Sequence, residues 1–282
     1  MNILLLGKTG QVGFELHRTL ATLGAITAPG REDLDLTKEQ AVASYLDQHR
    51  PNLIVNAAAW TAVDSAEAHQ VEAERLNTDL PKQLAEYAAT NKGRLVHYSS
   101  DYVYPGNGTT PWQETSPTGP LSHYGKTKLK GDQAVEKSGA DHFIFRTSWV
   151  YSARGNNFMK TMLRLAESKA ALNIVADQIG TPTPARLIAQ VTALAIHSKL
   201  ETGVYHLAPT AETSWQGFAK EIFRLAGKNT KANPIPTSDY PTSATRPLNS
   251  RMDVTKLEQA LKVRLPAWQS QLELTLSEYL EQ

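Results

Sequence analysis

The chain has 282 residues, 41% of them hydrophobic and 20% charged, which is the balance of a soluble globular protein with one large or two modest domains. A formal net charge of +1 excludes a general attraction to nucleic acid or to an anionic membrane, and the absence of cysteine excludes disulfides and thiolate chemistry. No apolar run is long enough to span a bilayer and the first residues lack the pattern of a signal peptide, so we expect a cytoplasmic protein.

The first half of the chain alternates between short apolar runs and stretches of helical periodicity. Strands are predicted over residues 3–6, 25–28, 53–55, 94–98 and 142–145. Helices are predicted over residues 12–23, 38–49, 72–90 and 124–138, with a bend or junction at Pro81. This alternation predicts an α/β fold in which a doubly wound parallel sheet is covered by helices on both faces. Ligands of such sheets lie beyond the carboxyl ends of the strands.

The second half is less regular. We expect a strand over residues 172–175 and a helix that runs from Pro184 to about residue 198, with Thr183 as its cap. Further helices are predicted over residues 215–226, 254–261 and 268–280. Residues 228–249 are rich in Pro, Thr and Ser and are predicted to form loops.

A glycine-rich loop joins the first predicted strand to the first helix. Gly7, Gly10 and Gly13 allow a tight turn, a close approach to a pyrophosphate and close packing of helix against strand. Gln11 and Val12 lie where the helix N-terminus attracts an anion. An ordinary glycine turn is the alternative, but the position at the start of a βαβ unit favours a dinucleotide site. The spacing does not match a P-loop.

The segment after the second strand bears on the choice of cofactor. Arg31 suits the 2′-phosphate of NADPH, whereas an acidic residue at this point would bind the ribose of NADH. Glu32 and Asp33 follow immediately, so NADPH is favoured and NADH stays open. Asp35 and Leu36 are expected near the adenine. A solvated loop charge is the alternative for Arg31.

Small and polar residues follow the third and fourth strands. The first group can lie close to a bound cofactor or serve helix–sheet packing; it comprises Ala57, Ala58, Ala59 and Thr61. Ser100 and Asp101 end the next strand. A serine there can hydrogen-bond a substrate oxygen, or it can simply cap a turn.

Tyr124 and Lys128 are four residues apart and share one face of a predicted helix. An ammonium beside a phenol lowers the pKa of the phenol, and a phenol tuned in this way can transfer a proton near neutral pH. Such pairs also occur by chance on solvated helices. The order of glycine loop, Ser100 at a strand end and then this pair favours a catalytic site.

Several stretches along nearly the whole chain carry a more specific pattern: residues 1–13, 55–59, 98–104, 124–128, 145–151, 155–158 and 246–250. In these stretches the chain resembles the dTDP-4-dehydrorhamnose reductase family of the extended short-chain dehydrogenase/reductase superfamily. Ser100 stands where the family often has threonine, which keeps the hydroxyl. The resemblance implies a Rossmann-like domain over residues 1–150, with returning segments near 172–200 and 240–252. Residues 151–171 and 201–282 would form mainly a smaller substrate-binding domain.

The resemblance also implies a reaction, the reduction of dTDP-4-dehydro-L-rhamnose to dTDP-L-rhamnose, the last step of dTDP-L-rhamnose synthesis. Tyr124 would donate a proton, Lys128 would lower the tyrosine pKa and hold the nicotinamide ribose, and Ser100 would orient the ketone, with Asp101 in a supporting role. The further contacts implied are Tyr98 for the cofactor and Tyr102, Trp149, Asn157, Arg246 and Asn249 for the substrate.

Two other functions remain open at this stage. An epimerase or dehydratase of the same superfamily would act on a nucleotide sugar and recycle its cofactor. A non-catalytic regulatory binding subunit would keep the scaffold without turnover. Some family members form a metal-bridged dimer through glutamates; Glu15 matches one position, but Arg186 replaces another. We therefore expect no metal, and a monomer or weak homodimer.

Overall fold

A six-stranded parallel sheet forms the centre of the computed structural model, which describes residues 1–281. The strands of the chain are β1 (Asn2–Leu6), β2 (Ala25–Thr27), β3 (Leu53–Asn56), β4 (Arg94–Ser100), β5 (Asp141–Thr147), β6 (Val150–Tyr151), β7 (Ala171–Val175), β8 (Ile179–Gly180), β9 (Thr183–Pro184), β10 (Gly203–His206), β11 (Thr213–Ser214) and β12 (Lys231–Ile235). The order across the main sheet is β2–β1–β3–β4–β5–β10. The prediction of a doubly wound parallel sheet is confirmed.

The helices of the first half begin and end within a few residues of the predicted bounds. The helices are α1 (Gln11–Thr19), α2 (Glu39–His49), α3 (Gln70–Glu74), α4 (Leu80–Thr90), α5 (His123–Lys137), α6 (Phe158–Ala166), α7 (Ala185–His197), α8 (Trp215–Leu225), α9 (Thr255–Leu261) and α10 (Trp268–Leu280). A π-helical turn, Arg75–Asp79, separates α3 from α4. Pro81 lies in the first turn of α4, directly after this π-helical turn, where the regular ladder of helical hydrogen bonds is already interrupted, so the predicted junction is confirmed.

The direction of chain winding reverses between β1 and β3. The chain moves from β1 outward to β2 and then returns to β3 on the other side of β1, from which β4 and β5 follow outward. A crevice opens at such a reversal, beyond the carboxyl ends of the strands. The pairing register places Leu6 opposite Asn56, Asn56 opposite His97 and Ser100 opposite Thr147. The polar residues at these strand ends are thereby brought to one edge.

Apolar clusters cover both faces of the sheet. Successive side chains of a strand point to opposite faces, so Ile3 and Leu5 of β1 join the cluster under α1 and α7. Leu4 and Leu6 join the cluster under α2, α4 and α5. Burial on both faces explains why β1 is an uninterrupted apolar run. This packing fixes the strand ends that carry the polar residues.

A third cluster lies in the C-terminal part of the chain, where α6, α8 and α10 meet β7 and β12 around Met159, Phe218 and Leu272. The prediction that residues 228–249 are all loop is wrong for β12, which pairs with β7 in parallel. The strand contains Pro234, which has no backbone N–H for the hydrogen bonds between strands. A proline is therefore untypical of a strand, and β12 was not predicted from the sequence.

Two further details differ from the predictions. The strand β10 was not foreseen; it falls within the segment assigned mainly to substrate binding, yet it extends the main sheet beside β5. Thr183 does not cap α7, because its hydroxyl donates to the Thr181 carbonyl and its backbone pairs with Val150. Pro184 is the N-cap residue instead. The functional division of the chain into two domains stays a prediction.

Among the helices of residues 1–281, none combines the length and the apolar character that crossing a membrane requires.

Candidate active site

A cleft of about 1320 Å³ lies at the carboxyl edge of the sheet and extends to the third cluster. Most of the predicted site residues line it: Gly7, Gly10, Gln11, Val12, Arg31, Asp35, Leu36, Ala57, Ala58, Ala59, Thr61, Tyr98, Ser100, Asp101, Tyr102, Tyr124, Lys128, Trp149 and Arg246. The cleft is large enough for a dinucleotide together with a second ligand. Residues far apart in the sequence are thus brought to one space.

The glycine loop leaves room for a ligand backbone at one end of the cleft. Gly7 has φ +83°, and a Cβ there would lie 2.8 Å from the backbone of Ala57. A Cβ at Gly13 would lie 2.0 Å from the Gly7 carbonyl oxygen, so α1 packs directly on the loop. Gly10 precedes α1 and offers no side-chain cap, which leaves the first N–H groups of the helix for an anion. This end of the cleft fits a pyrophosphate.

Positive side chains lie beyond the glycine loop. Arg31 and Lys8 both line the cleft, and Lys8 Nζ lies 3.9 Å from the position of a Cβ at Gly30. The Asp33 carboxylate is turned to the backbone, where Oδ2 accepts from Gly30 N–H at 2.7 Å. Hydrogen bonds from Thr37 lower the pKa of Asp35. The cationic pair suits a phosphate on a ribose, so the residues fit NADPH.

Lys128 reaches from α5 into the sheet and is almost fully buried. Its Nζ donates to the Tyr98 carbonyl oxygen at 2.6 Å and lies 3.4 Å from Nε2 of His97. Burial lowers the pKa of Lys128 to about 8, against the opposing effect of the Asp132 carboxylate. The lysine therefore titrates much closer to neutral pH than an exposed lysine does.

The phenol of Tyr124 keeps its proton in the protein alone. Burial raises the pKa of Tyr124 to about 12, while the Ser100 hydroxyl, within hydrogen-bonding reach, opposes the rise. The expectation that Lys128 lowers this pKa is wrong for the chain without ligands, because burial outweighs it and the lysine is directed at Tyr98. A phenol that stays protonated throughout the neutral range suits a proton donor.

Asp101 is a buried carboxyl next to Ser100. Its Oδ1 accepts from Ser100 Oγ at 3.1 Å, and its Oδ2 has no partner among the described residues. Burial raises the pKa of Asp101 to about 6, which the Ser250 and Ser100 hydroxyls oppose. The Tyr102 ring packs edge-on against Tyr124, with 5.4 Å between the ring centroids. These contacts fix Ser100 and Tyr124 from one side.

Aromatic and charged groups form the far end of the cleft. Trp149 has φ +49°, an uncommon conformation for a residue with a side chain, and stacks on Trp215 with 3.8 Å between the ring centroids. Arg246 is held by Asp64 at 2.5 Å, and its Nη1 has no partner among residues 1–281. Flat apolar surfaces and an available guanidinium edge are suited to a sugar nucleotide.

Comparison with known proteins decides the family. The family model described as "RmlD substrate binding domain" matches residues 1–281. The dTDP-4-dehydrorhamnose reductase of Shigella flexneri is 47% identical to this chain over 292 aligned positions, covering 99% of this chain and 98% of its own length. This chain belongs to the dTDP-4-dehydrorhamnose reductase family. The resemblance seen in the sequence motifs is therefore confirmed.

Two solved structures of dTDP-4-dehydrorhamnose reductases are similar to this member of the family along the whole chain. The protein from Clostridium acetobutylicum has a TM-score of 0.94 at 35% identity and covers 100% of both chains. The protein from Bacillus anthracis, solved in complex with NADP, has a TM-score of 0.94 at 32% identity and covers 98% of this chain and 99% of its own.

Three predicted site residues do not line the cleft of this dTDP-4-dehydrorhamnose reductase family member. Gly13 serves the packing of α1. Asn157 caps α6, and its Nδ2 donates to Gln11 Oε1 at 2.9 Å, so it holds a cleft residue rather than a ligand. Asn249 is buried, and its Nδ2 donates to the carbonyls of Asn107 and Thr110. The substrate contacts expected of the two asparagines do not fit this geometry, because their amides already serve the backbone or Gln11.

The sequence interpretation also missed groups that surround Tyr124 and Lys128 in this family member. Asp132 lies one turn beyond Lys128 and accepts from Ser99 Oγ at 2.8 Å and from Arg146 Nε at 3.1 Å. The spacing of four residues from Tyr124 to Lys128 to Asp132 is a signal that could have identified it. His97, by contrast, is recognised only once the strand register is known.

Proposed function

We propose that this chain reduces the 4-keto group of dTDP-4-dehydro-L-rhamnose to give dTDP-L-rhamnose, the last step of dTDP-L-rhamnose synthesis. NADPH is the proposed reductant, with NADH as the alternative. One observation carries the proposal: the buried set of Ser100, Tyr124 and Lys128 opens into the same cleft as the glycine loop. Membership of the dTDP-4-dehydrorhamnose reductase family along residues 1–281 supports the substrate.

When bound, the cofactor would supply a hydride for the ketone carbon. Tyr124 is the general acid that gives its phenolic proton to the oxygen of the former ketone, since the pKa of about 12 keeps this proton in place beforehand. The Ser100 hydroxyl, which donates to Asp101 in the chain without ligands, turns to donate a hydrogen bond to the same oxygen and stabilises the negative charge that develops there. Lys128 provides a charge behind the phenol and a donor for the nicotinamide ribose.

The cofactor end of the cleft supports NADPH over NADH. Arg31 and Lys8 bring two positive charges to the place where the adenosine ribose is expected, whereas the Asp33 carboxylate is engaged by the backbone of Gly30. A free carboxylate would bind the 2′-hydroxyl of NADH and repel a 2′-phosphate. Asp35, Leu36 and the small residues after β3 complete this end as proposed contacts.

The other end of the cleft is proposed to take the sugar nucleotide. Trp149 offers a flat face for the sugar, and Tyr102 and Asp101 lie beside the expected ketone. Arg246 has an unpartnered Nη1, and a guanidinium forms paired hydrogen bonds with phosphate oxygens. We therefore assign Arg246 to the diphosphate of the substrate.

The experiment that tests this function mixes the protein with dTDP-4-dehydro-L-rhamnose and follows the loss of reduced-cofactor absorbance, with NADPH and NADH in parallel. Net oxidation in proportion to the sugar consumed is expected. An epimerase or dehydratase would recycle its cofactor and show no net oxidation. A regulatory binding subunit would show no turnover with either cofactor, and this result would reject the proposal.

We further propose that the protein works in the cytoplasm as a monomer or weak homodimer. Arg186 lies between Glu15, 3.8 Å from Nε, and Glu278, with which it forms a hydrogen bond. This ion-pair network occupies the carboxylates that could otherwise bind a bridging metal. Sedimentation velocity with and without EDTA tests the assembly; a stable dimer that dissociates in EDTA would contradict it.

A further inference from the structure

His97 is a buried histidine whose two ring nitrogens face two different groups of the site. It lies on β4, three residues before Ser100, and has no exposed surface. Its Nδ1 is 3.3 Å from Nδ2 of Asn56, and its Nε2 is 3.4 Å from Nζ of Lys128. The ring thus connects the end of β3 to the lysine of the candidate active site.

The orientation of the Asn56 amide determines which ring nitrogen carries the hydrogen. Asn56 Oδ1 accepts from Ala58 N–H at 3.2 Å, so its NH₂ group is the part that faces His97. An NH₂ group only donates, and Nδ1 of His97 must therefore be the acceptor. Burial lowers the pKa of His97 well below its usual range, so the ring is neutral. We assign its single hydrogen to Nε2 from these partners.

This tautomer places an N–H group against Lys128. An ammonium has donors and no acceptor, so the charged lysine and the Nε2–H would both present hydrogens across 3.4 Å. A neutral amine has a lone pair that accepts from Nε2–H. The Tyr98 carbonyl, at 2.6 Å from Nζ, accepts from either form of the lysine. The contact with His97 therefore distinguishes the two charge states, and the contact with Tyr98 does not.

The remaining charged groups around this pair act in both directions. Asp132, on the same helix as Lys128, favours the ammonium, and Arg146 on β5 holds that carboxylate by an ion pair of 3.1 Å. His142, also on β5, acts against a charge on His97. Because burial and Asp132 have opposite effects on the pKa of Lys128, a single hydrogen bond is enough to change that pKa.

We propose that His97, oriented by Asn56, is a positioning residue that presents its Nε2–H to Lys128 and stabilises the neutral amine of this lysine. The amine left when Lys128 loses a proton accepts a hydrogen bond from His97. Lys128 therefore loses its proton at a lower pH than an ordinary lysine does. Because this loss limits turnover, the alkaline limit of turnover also lies at a lower pH. The kinetic part of this proposal rests on the proposed reductase function, whereas the hydrogen bonding belongs to the chain alone.

The tautomer is tested on the full-length wild-type protein without any ligand. Long-range proton–nitrogen correlation spectra of the histidine-labelled protein report which ring nitrogen carries hydrogen, and His97→Gln identifies the signals of residue 97. Hydrogen on Nε2 alone is expected. Hydrogen on Nδ1 alone, or on both nitrogens at pH 7, would overturn the proposal. This measurement does not depend on whether the protein is a reductase.

The effect on Lys128 is tested by nuclear magnetic resonance titration of labelled lysine and by the pH profile of kcat/KM. In His97→Leu the donor is lost, and the titration of Lys128 and the alkaline limit of turnover should both rise by about one pH unit. In His97→Gln a side-chain N–H can replace Nε2–H, so both should stay near the wild-type values. His197→Gln, which replaces an exposed histidine at the end of α7, is the control and should leave both unchanged.

An unchanged or lower Lys128 titration in a folded His97→Leu protein would overturn the proposal. Should that variant not fold, the wild-type tautomer and His97→Gln still decide. Failure of the proposed function would look different: the wild-type protein would not turn over the ketosugar, while the lysine titration would still respond to the substitution. The two failures are therefore distinguishable.

Discussion

Asp64 and Arg246 form an ion pair with 2.5 Å between Oδ2 and Nη2, although 182 positions separate them in the sequence. Asp64 follows β3, and Arg246 lies in the loop before α9, so the pair joins the two sides of the cleft. Asp64 Oδ1 also accepts from Ala244 N–H at 3.0 Å, which holds the backbone of the same loop. The arginine is thereby directed into the cleft before a ligand arrives.

Asp64→Ala should weaken binding of the nucleotide sugar. Removing the carboxylate frees Arg246 and its loop, and the loss of a charge-assisted hydrogen bond corresponds to a rise in KM of about tenfold, with a smaller effect on kcat. Steady-state kinetics with varied ketosugar measure this. Glu221→Gln, which removes the carboxylate of an ion pair with the exposed Arg224, is the matched control and should leave KM unchanged. Equal KM values in both variants would contradict the assignment of Arg246.

Arg31→Ala should change the choice of cofactor more than the rate. The loss of one positive charge near the 2′-phosphate is expected to raise the KM for NADPH by about tenfold and to leave that for NADH nearly unchanged. Lys82→Ala removes an exposed cation of α4 that does not line the cleft and serves as the control. If Arg31→Ala affects NADPH and NADH equally, Arg31 does not contact the 2′-phosphate.

Gly13→Ala should destabilise the fold at the glycine loop. The new Cβ would lie 2.0 Å from the Gly7 carbonyl oxygen, so α1 must move away from the loop. We expect a loss of about 1–3 kcal/mol in the free energy of unfolding, measured by urea denaturation. At Gly10 a Cβ would lie 3.4 Å from the same oxygen, and Gly10→Ala should cost less. Equal stability of the two variants would contradict the close packing.

Asp101 makes the stability of the protein depend on pH. Burial raises its pKa from 3.8 to about 6, so the folded state holds a proton that the unfolded state has already released between about pH 4 and pH 6. The contribution of Asp101 to stability therefore falls as the pH rises through this window, by about 3 kcal/mol. Asp101→Asn removes this dependence.

Urea denaturation of the wild-type and Asp101→Asn proteins at pH 4.5 and pH 8 measures the effect. The free energy of unfolding of the variant minus that of the wild type should be larger at pH 8 than at pH 4.5. A difference between the two proteins that is the same at both pH values would show that Asp101 has an ordinary pKa.

The parts of the site that depend on local spacing could be predicted from the sequence. Tyr124 and Lys128 are one helical turn apart, and the glycine loop lies between a strand and a helix, so both motifs are contained in a few consecutive residues. The contact between His97 and Asn56 could not be predicted in this way, because it exists only in the register of β3 against β4. The same holds for Asp64 and Arg246.

The errors have physical causes as well. Asn157 and Asn249 carry amides that suit a ligand, but the sequence does not show that backbone carbonyls and Gln11 already use them. The pKa of Tyr124 moves upward because burial, which a sequence does not reveal, outweighs a nearby positive charge. Pro234 concealed β12, and β10 (Gly203–His206) has only Val204 and Tyr205 as apolar residues, so it forms no apolar run.

In the proposed reaction, Tyr124 donates the proton to the reduced ketone. Tyr124→Phe keeps the ring and removes only the phenolic hydroxyl, so the turnover of dTDP-4-dehydro-L-rhamnose with NADPH tests the claim most directly. We predict that kcat falls by about 10²–10⁴-fold while NADPH binding, measured by fluorescence titration, stays near the wild-type value. Near-normal turnover in this variant would contradict the account.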